Sequence, residues 1–312
     1  MTVIFIIVYS LILLNYKTMQ ELNGSFVALV SPMKSNGDID HSALKKLIDW
    51  HIEEGTDGIV SVGTTGESAT VNFNEHIELI KYTVDYVNNR VPVIAGTGAN
   101  STSEALDLTI ESEKNGADYA LLVTPYYNKP TQDGLYTHFM TVADAAKIPL
   151  IVYDIPGRSI IPVHDETLVK LCENNELIDG IKDATADISR PPRLLRLIGS
   201  GFSQLSGEDA TALPYLAAGG HGCISVSSNI VPNLLSEMHN SWKNGDFKNA
   251  FNIHLKLINF HDAMFCESSP GPVKFAAEKI GLCNSEARLP IVKISELSEN
   301  QVLSALEECK LI

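Results

Sequence analysis

Short apolar runs recur along the chain with polar, helix-patterned stretches between them. The runs are Phe26-Val27-Ala28-Leu29-Val30, Gly58-Ile59-Val60-Ser61-Val62, Pro92-Val93-Ile94-Ala95 and Tyr119-Ala120-Leu121-Leu122-Val123. Pro149-Leu150-Ile151-Val152-Tyr153 and Ile178-Asp179-Gly180-Ile181-Lys182 follow, then the weaker Ser203-Gln204-Leu205-Ser206 and Gly222-Cys223-Ile224-Ser225-Val226. Continuous β-branched runs of this length suit parallel strands buried on both faces. Between them, Ser42–Glu54 places Leu44, Leu47, Ile48 and Ile52 on one helical face. Asn74–Asn88 does so with Ile77, Ile80 and Val84, with Asn74 as its expected N-cap. Further helices are expected over 101–114, 133–147, 162–173, 187–198, 209–218 and 230–242, then 247–264, 272–280 and 295–308.

Eight strands, each followed by a helix, predict an α/β fold of the (β/α)8 TIM-barrel type with a C-terminal helical subdomain. A doubly wound open sheet is the alternative. The count of eight speaks against it. So does Gly96-Thr97-Gly98, where Ser101 replaces the third glycine of a dinucleotide fingerprint. The expected division is 19–243 for the barrel and 244–312 for the helical subdomain. Residues 1–18 are read as an extension outside the working fold. Val3–Leu14 is too short an apolar run to span a bilayer and lacks a basic stretch before it, so an interfacial anchor is the rival reading.

Composition narrows the function. The 312 residues hold 23 Lys plus Arg against 38 Asp plus Glu, a net charge of −15. That is unfavourable for nucleic-acid backbones, and no nucleic-acid or membrane partner is expected. The five Cys are odd in number and show no C-x-x-C spacing, as in a reduced, cytoplasmic protein. The nine His show no zinc-ligand spacing, and His51 and His254 read as helix-surface or packing residues. No metal and no cofactor are expected.

The polar residues gather at the C-terminal ends of the strands, where barrel enzymes place their chemistry. Lys182 is the most informative. It stands in an apolar segment, where an amine turned into the barrel loses hydration and with it affinity for a proton. Such an amine can attack a ketone and form a Schiff base. The competing reading is an ion pair with Asp183 or Glu208, although strand alternation sends Asp183 to the other face. Tyr153 ends the neighbouring strand, so its phenol can move protons on and off a carbinolamine. Thr64 and Tyr127 can extend a hydroxyl relay. Arg158, in a Pro-Gly turn, can clamp a carboxylate. Gly63, Gly66 and Gly207 would let backbone amides approach one closely.

Five runs, in order, carry a resemblance. They are Gly63-Thr64-Thr65-Gly66-Glu67-Ser68, Val123-Thr124-Pro125-Tyr126-Tyr127-Asn128-Lys129-Pro130 and Gly180-Ile181-Lys182-Asp183-Ala184-Thr185. Ser206-Gly207-Glu208-Asp209-Ala210-Thr211 and Gly219-Gly220-His221-Gly222-Cys223-Ile224-Ser225 complete the set. From about residue 24 to 310 the chain resembles the dihydrodipicolinate synthase family of Schiff-base barrels, relatives of N-acetylneuraminate lyase. The resemblance implies condensation of pyruvate with L-aspartate 4-semialdehyde on the diaminopimelate route to lysine. It implies Lys182 as the imine lysine and Tyr153, Thr64 and Tyr127 as the relay, with Tyr127 reaching across a tight dimer. Thr65, Ile224 and Gly207 would hold pyruvate, and Arg158 the second carboxylate. The implied assembly is a homotetramer, a dimer of tight dimers. An inhibitory L-lysine site would use Ser68, Ala69, His76, Asn100, Glu104 and Tyr126, with Phe73 where sensitive members often carry His. Asp154 departs from the family's usual Asn and is expected to put a negative charge near anionic substrates. A sibling sugar-acid lyase and a non-catalytic, ligand-sensing barrel are the alternatives.

Overall fold

The computed structural model describes residues 22–312. The expected extension, residues 1–18, lies outside them. Eight parallel strands close into a barrel in chain order, β1 to β8. They are β1 (Gly24–Ala28), β2 (Gly58–Ser61), β3 (Val93–Gly96), β4 (Tyr119–Val123), β5 (Leu150–Asp154), β6 (Ile178–Asp183), β7 (Ser203–Ser206) and β8 (Gly222–Ser225). Phe26 is in register with Gly58 on one side and Ile224 on the other, which closes the ring. The doubly wound alternative is thereby excluded.

Alternation along each strand sorts the apolar residues into two layers. Phe26, Ala28, Val60, Ile94, Leu121, Ile151, Tyr153, Leu205 and Ile224 fill the barrel interior. Val27, Ile59, Val93 and Ala95 face outward against Leu44, Leu47 and Ile48 of α1 (His41–Glu53) and Leu79 and Ile80 of α2 (Phe73–Val87). The ring of helices continues with α3 (Thr102–Lys114), α4 (Gln132–Ala143), a single turn α5 (Pro156–Ser159), α6 (Asp165–Asn174), α7 (Arg190–Leu197), α8 (Ala212–Ala217) and α9 (Pro232–Lys243). Then come α10 (Phe247–Met264), α11 (Gly271–Lys279) and α12 (Glu296–Glu308). Ala250, Leu257, Val273, Val302 and Leu306 of these last helices share one apolar cluster with α1, α2 and α9.

Several helix boundaries shift for visible reasons. Asn72, not Asn74, caps α2 by accepting the Glu75 amide at 3.1 Å. The helix expected from 162 begins at Asp165, because Val163 donates its amide to Asp154 and its carbonyl accepts from Arg190. The segment expected as one helix over 209–218 is a 3-10 turn, Asp209–Thr211, leading into α8. His51 and His254 are both buried packing residues.

Candidate active site

β5 and β6 bring the two strongest candidates together. Tyr153 and Lys182 are register partners, each 5% exposed, and Lys182 Nζ lies 4.2 Å from the centre of the Tyr153 ring. Both side chains leave the strands inward near the C-terminal mouth of the barrel.

The next residue of each strand points outward. Asp183 therefore turns away from Lys182, and Thr185 donates to it through both its amide (3.0 Å) and its hydroxyl (2.7 Å). Asp154 corrects an expectation. It is fully buried behind the barrel wall and pairs with Arg190 at 2.7 Å, so its charge does not face the mouth. Arg190 also reaches Asp165 at 2.9 Å and lies 3.6 Å from Asp183. One buried guanidinium thus ties together the outer faces of the two strands that carry Tyr153 and Lys182.

Gly207, after β7, stands directly against Lys182. A Cβ there would lie 3.1 Å from Lys182 Cε and 2.8 Å from Ala184 Cβ. Its lack of a side chain makes room for the lysine stem. Gly66 is needed for packing too, since a Cβ there would meet Val62 Cα at 3.0 Å and Leu29 O at 3.2 Å. Glu208 is half-buried, and burial, then the Asp209 charge, pushes its carboxyl up against the opposing pull of Lys182. Asp209 itself is buried. It accepts from the Ser225 hydroxyl and from the amides of Val226 (3.0 Å) and Ser227 (3.1 Å). These bonds fix the end of β8 beside Ile224, which is 1% exposed in the barrel interior.

The remaining candidates divide by burial. Thr65 is 4% exposed and Thr64 half-buried, in the turn after β2. Arg158 is exposed on α5, just beyond β5. Tyr127 is 88% exposed, with a left-handed φ of 75°. Nothing among the described residues buries the ring. Asn128 beside it donates to the Asn100 carbonyl at 2.8 Å, tying the ends of β4 and β3 together. Tyr126 is at the surface near Glu104, and burial, then that carboxylate, pushes its phenol up. Ser68 is half-buried, and Ala69, Phe73 and Glu104 are exposed. His76 is buried, with Nε2 2.7 Å from the Gly96 carbonyl, so it braces the end of β3.

Among the described residues no group of three or more His, Cys, Asp or Glu side chains is arranged to hold a metal ion. No described helix is long and apolar enough to cross a membrane.

Residues 21–309 match the model of the dihydrodipicolinate synthetase family. The chain belongs to this family. It is 49% identical over 284 residues to 4-hydroxy-tetrahydrodipicolinate synthase of Gluconacetobacter diazotrophicus, covering 91% of this chain and 95% of that relative. Among solved structures of the family, the dihydrodipicolinate synthase of Acinetobacter baumannii, complexed with pyruvate, superposes with a TM-score of 0.90. It is 44% identical and covers 93% of this chain and 99% of its own. The dihydrodipicolinate synthase of Cyanidioschyzon merolae, with lysine bound, gives 0.91 at 36% identity, covering 94% of this chain and all of the other.

Sequence reading passed over Arg190. The carboxylates it hydrogen-bonds lie 25 and 36 residues away, so no local spacing announces those bonds. The one available signal was alternation: Asp154 and Asp183 both had to face outward, where a shared cation was required.

Proposed function

We propose that this chain is a 4-hydroxy-tetrahydrodipicolinate synthase, condensing pyruvate with L-aspartate 4-semialdehyde in the diaminopimelate route to lysine. The observation that carries the reading is the buried Lys182 amine beside Tyr153 at the mouth of the barrel. The Lys182 nitrogen attacks the pyruvate ketone carbon. Proton transfer to the carbinolamine oxygen lets water leave, giving an iminium. The iminium draws electrons from the methyl carbon, which loses a proton to become an enamine. That carbon then attacks the aldehyde of the second substrate, whose oxygen takes up a proton. The second substrate's own amine displaces the Lys182 nitrogen from the re-formed iminium, closing the ring and freeing the lysine. No metal or organic cofactor is required for these steps.

Tyr153, Thr64 and Tyr127 carry the protons in this reading. The exposure and left-handed backbone of Tyr127 support its acting across a dimer contact, since strained residues persist where surrounding structure holds them for a purpose. Thr65, Ile224 and Gly207 shape the pyruvate end. Arg158 receives the carboxylate of aspartate semialdehyde. The assembly is a homotetramer built from tight dimers, located in the cytoplasm. The catalytic barrel is the unit expected over 19–243, described here from residue 22, and 244–312 is a helical subdomain packed on it. L-lysine inhibits at a site formed by Ser68, Ala69, His76, Asn100, Glu104 and Tyr126, and the lysine-bound relative supports this.

The test is turnover. Purified protein given pyruvate and aspartate semialdehyde is expected to consume both and to leave N-acetylneuraminate uncleaved. Cleavage of the sugar acid with no condensation would assign the site to a sibling lyase.

A further inference from the structure

The turn that carries Thr64 and Thr65 is gripped from the far end of the chain. Glu67, two residues beyond Thr65, has a left-handed φ of 61°, which residues other than Gly, Asn and Asp seldom adopt. Its amide donates to the Thr64 carbonyl at 3.1 Å, and the Ser68 amide donates to the Gly63 carbonyl at 3.3 Å. The Glu67 backbone is therefore part of the same turn as the Thr64–Thr65 peptides, and its carboxylate side chain is a handle on that turn.

That carboxylate is buried. It accepts from Lys274 Nζ of α11 at 2.5 Å and from the Arg288 amide at 2.9 Å. Lys274 is itself 0% exposed and spends a second proton on the Glu286 carbonyl at 2.6 Å. Arg288 closes a second grip, with its terminal nitrogens 2.5 and 2.6 Å from Glu75 at the start of α2. It also donates to the Thr70 carbonyl at 3.1 Å. The stretch from 63 to 75 is thus held at Glu67 and Glu75 by a segment more than 200 residues away.

A fully buried ion pair is a weak source of net stability, because desolvation of both charges offsets their attraction. Its geometry is the better account of its presence. We propose that Lys274 and Glu67 are a positioning pair. They hold in place the turn after β2 that carries Thr64 and Thr65 at the C-terminal end of the barrel, the end that also carries Lys182. Neither residue touches substrate. The inference rests on the reading of the site as a pyruvate-imine enzyme.

The experiment uses the full chain with Glu67→Gln, and with Glu67→Gln combined with Lys274→Met, which removes both charges and leaves none unpaired. Three quantities are read: melting temperature, amide exchange of the peptide over 63–72, and the rate of borohydride-trapped pyruvate imine. The double variant is expected to melt within a few degrees of the parent. Exchange of the peptide should quicken about tenfold, as local opening becomes easier. The imine rate at saturating pyruvate should fall about tenfold or more, since an error of 1 Å in placement can cost about a hundredfold. A folded double variant with parental exchange and parental imine rate would overturn the proposal. If the double variant does not fold, Glu67→Gln alone decides by the same two readouts, because a single amide oxygen can accept from only one of the two donors, Lys274 and the Arg288 amide, and the grip is weakened. If the parent forms no imine, the functional reading fails, and the exchange result still decides the positioning claim.

Discussion

Tyr153 and Lys182 stand opposite one another on β5 and β6, and the residues that follow them, Asp154 and Asp183, both turn outward toward Arg190. The register that sets a phenol beside an amine inside the barrel is pinned outside it by one guanidinium. Arg190→Leu removes the shared cation and leaves two buried carboxylates. Breaking such a network by deleting one partner costs about 3–5 kcal/mol. Denaturant unfolding of the variant should show a loss of that size. Parental stability would mean that Arg190 pins nothing.

Gly207 permits the lysine to lie where it does. In Gly207→Ala the new methyl would be 2.8 Å from Ala184 Cβ and 3.2 Å from Lys182 Cγ. Something must shift, and the lysine stem is the flexible neighbour. Imine formation should slow by about tenfold to a hundredfold, in line with the sensitivity of reactions to placement. Circular dichroism is expected to stay native. An unchanged imine rate would show that the stem has room elsewhere.

Much of this was legible in the chain. Most of the strands could be read from apolar runs, because parallel strands buried on both faces leave little polar alternation, whereas β7, Ser203–Ser206, carries one apolar residue and was legible mainly from the regular spacing. Lys182 could be placed inward because one rule, alternation, sufficed. The same rule applied to β5 sends Asp154 outward, away from the mouth that its charge alone would suggest. The Arg190 cluster and the Lys274–Glu67 pair were not legible. Each joins residues with no fixed spacing, 36 and 207 positions apart, and only the closed barrel brings them together. Asn72 displaced Asn74 as cap because capping is decided by the chain's path at the helix entry. A polar residue is acceptable to the sequence at either position.

Feedback inhibition is the third expectation. Glu104 is exposed in the first turn of α3, near Tyr126, and its carboxylate suits the ammonium of a free amino acid. Millimolar L-lysine should depress turnover, and Glu104→Gln should relieve it while leaving uninhibited turnover unchanged. Full parental activity at millimolar L-lysine would remove the site from this chain.

Acid should weaken the fold through two buried rings. Burial holds the His51 imidazole down at about 3 and that of His138 at about 4. Both stay neutral in the folded chain while unfolded histidines, near 6.5, take up protons. The unfolded state then binds more protons, so this contribution is complete above about pH 6.5 and is lost as the pH falls toward 4. Melting temperature should decline from pH 7 to pH 5. His51→Asn, stable enough to melt, should show a shallower decline. An equal slope in both would remove His51 from the account.

In the proposed reaction Lys182 carries pyruvate as an imine. Protein incubated with pyruvate and borohydride, then digested and weighed, tests it directly. One reduced pyruvyl adduct per chain is expected, on the peptide holding Lys182, and none in Lys182→Arg. A parent protein without that adduct, or an adduct on another lysine, would contradict it.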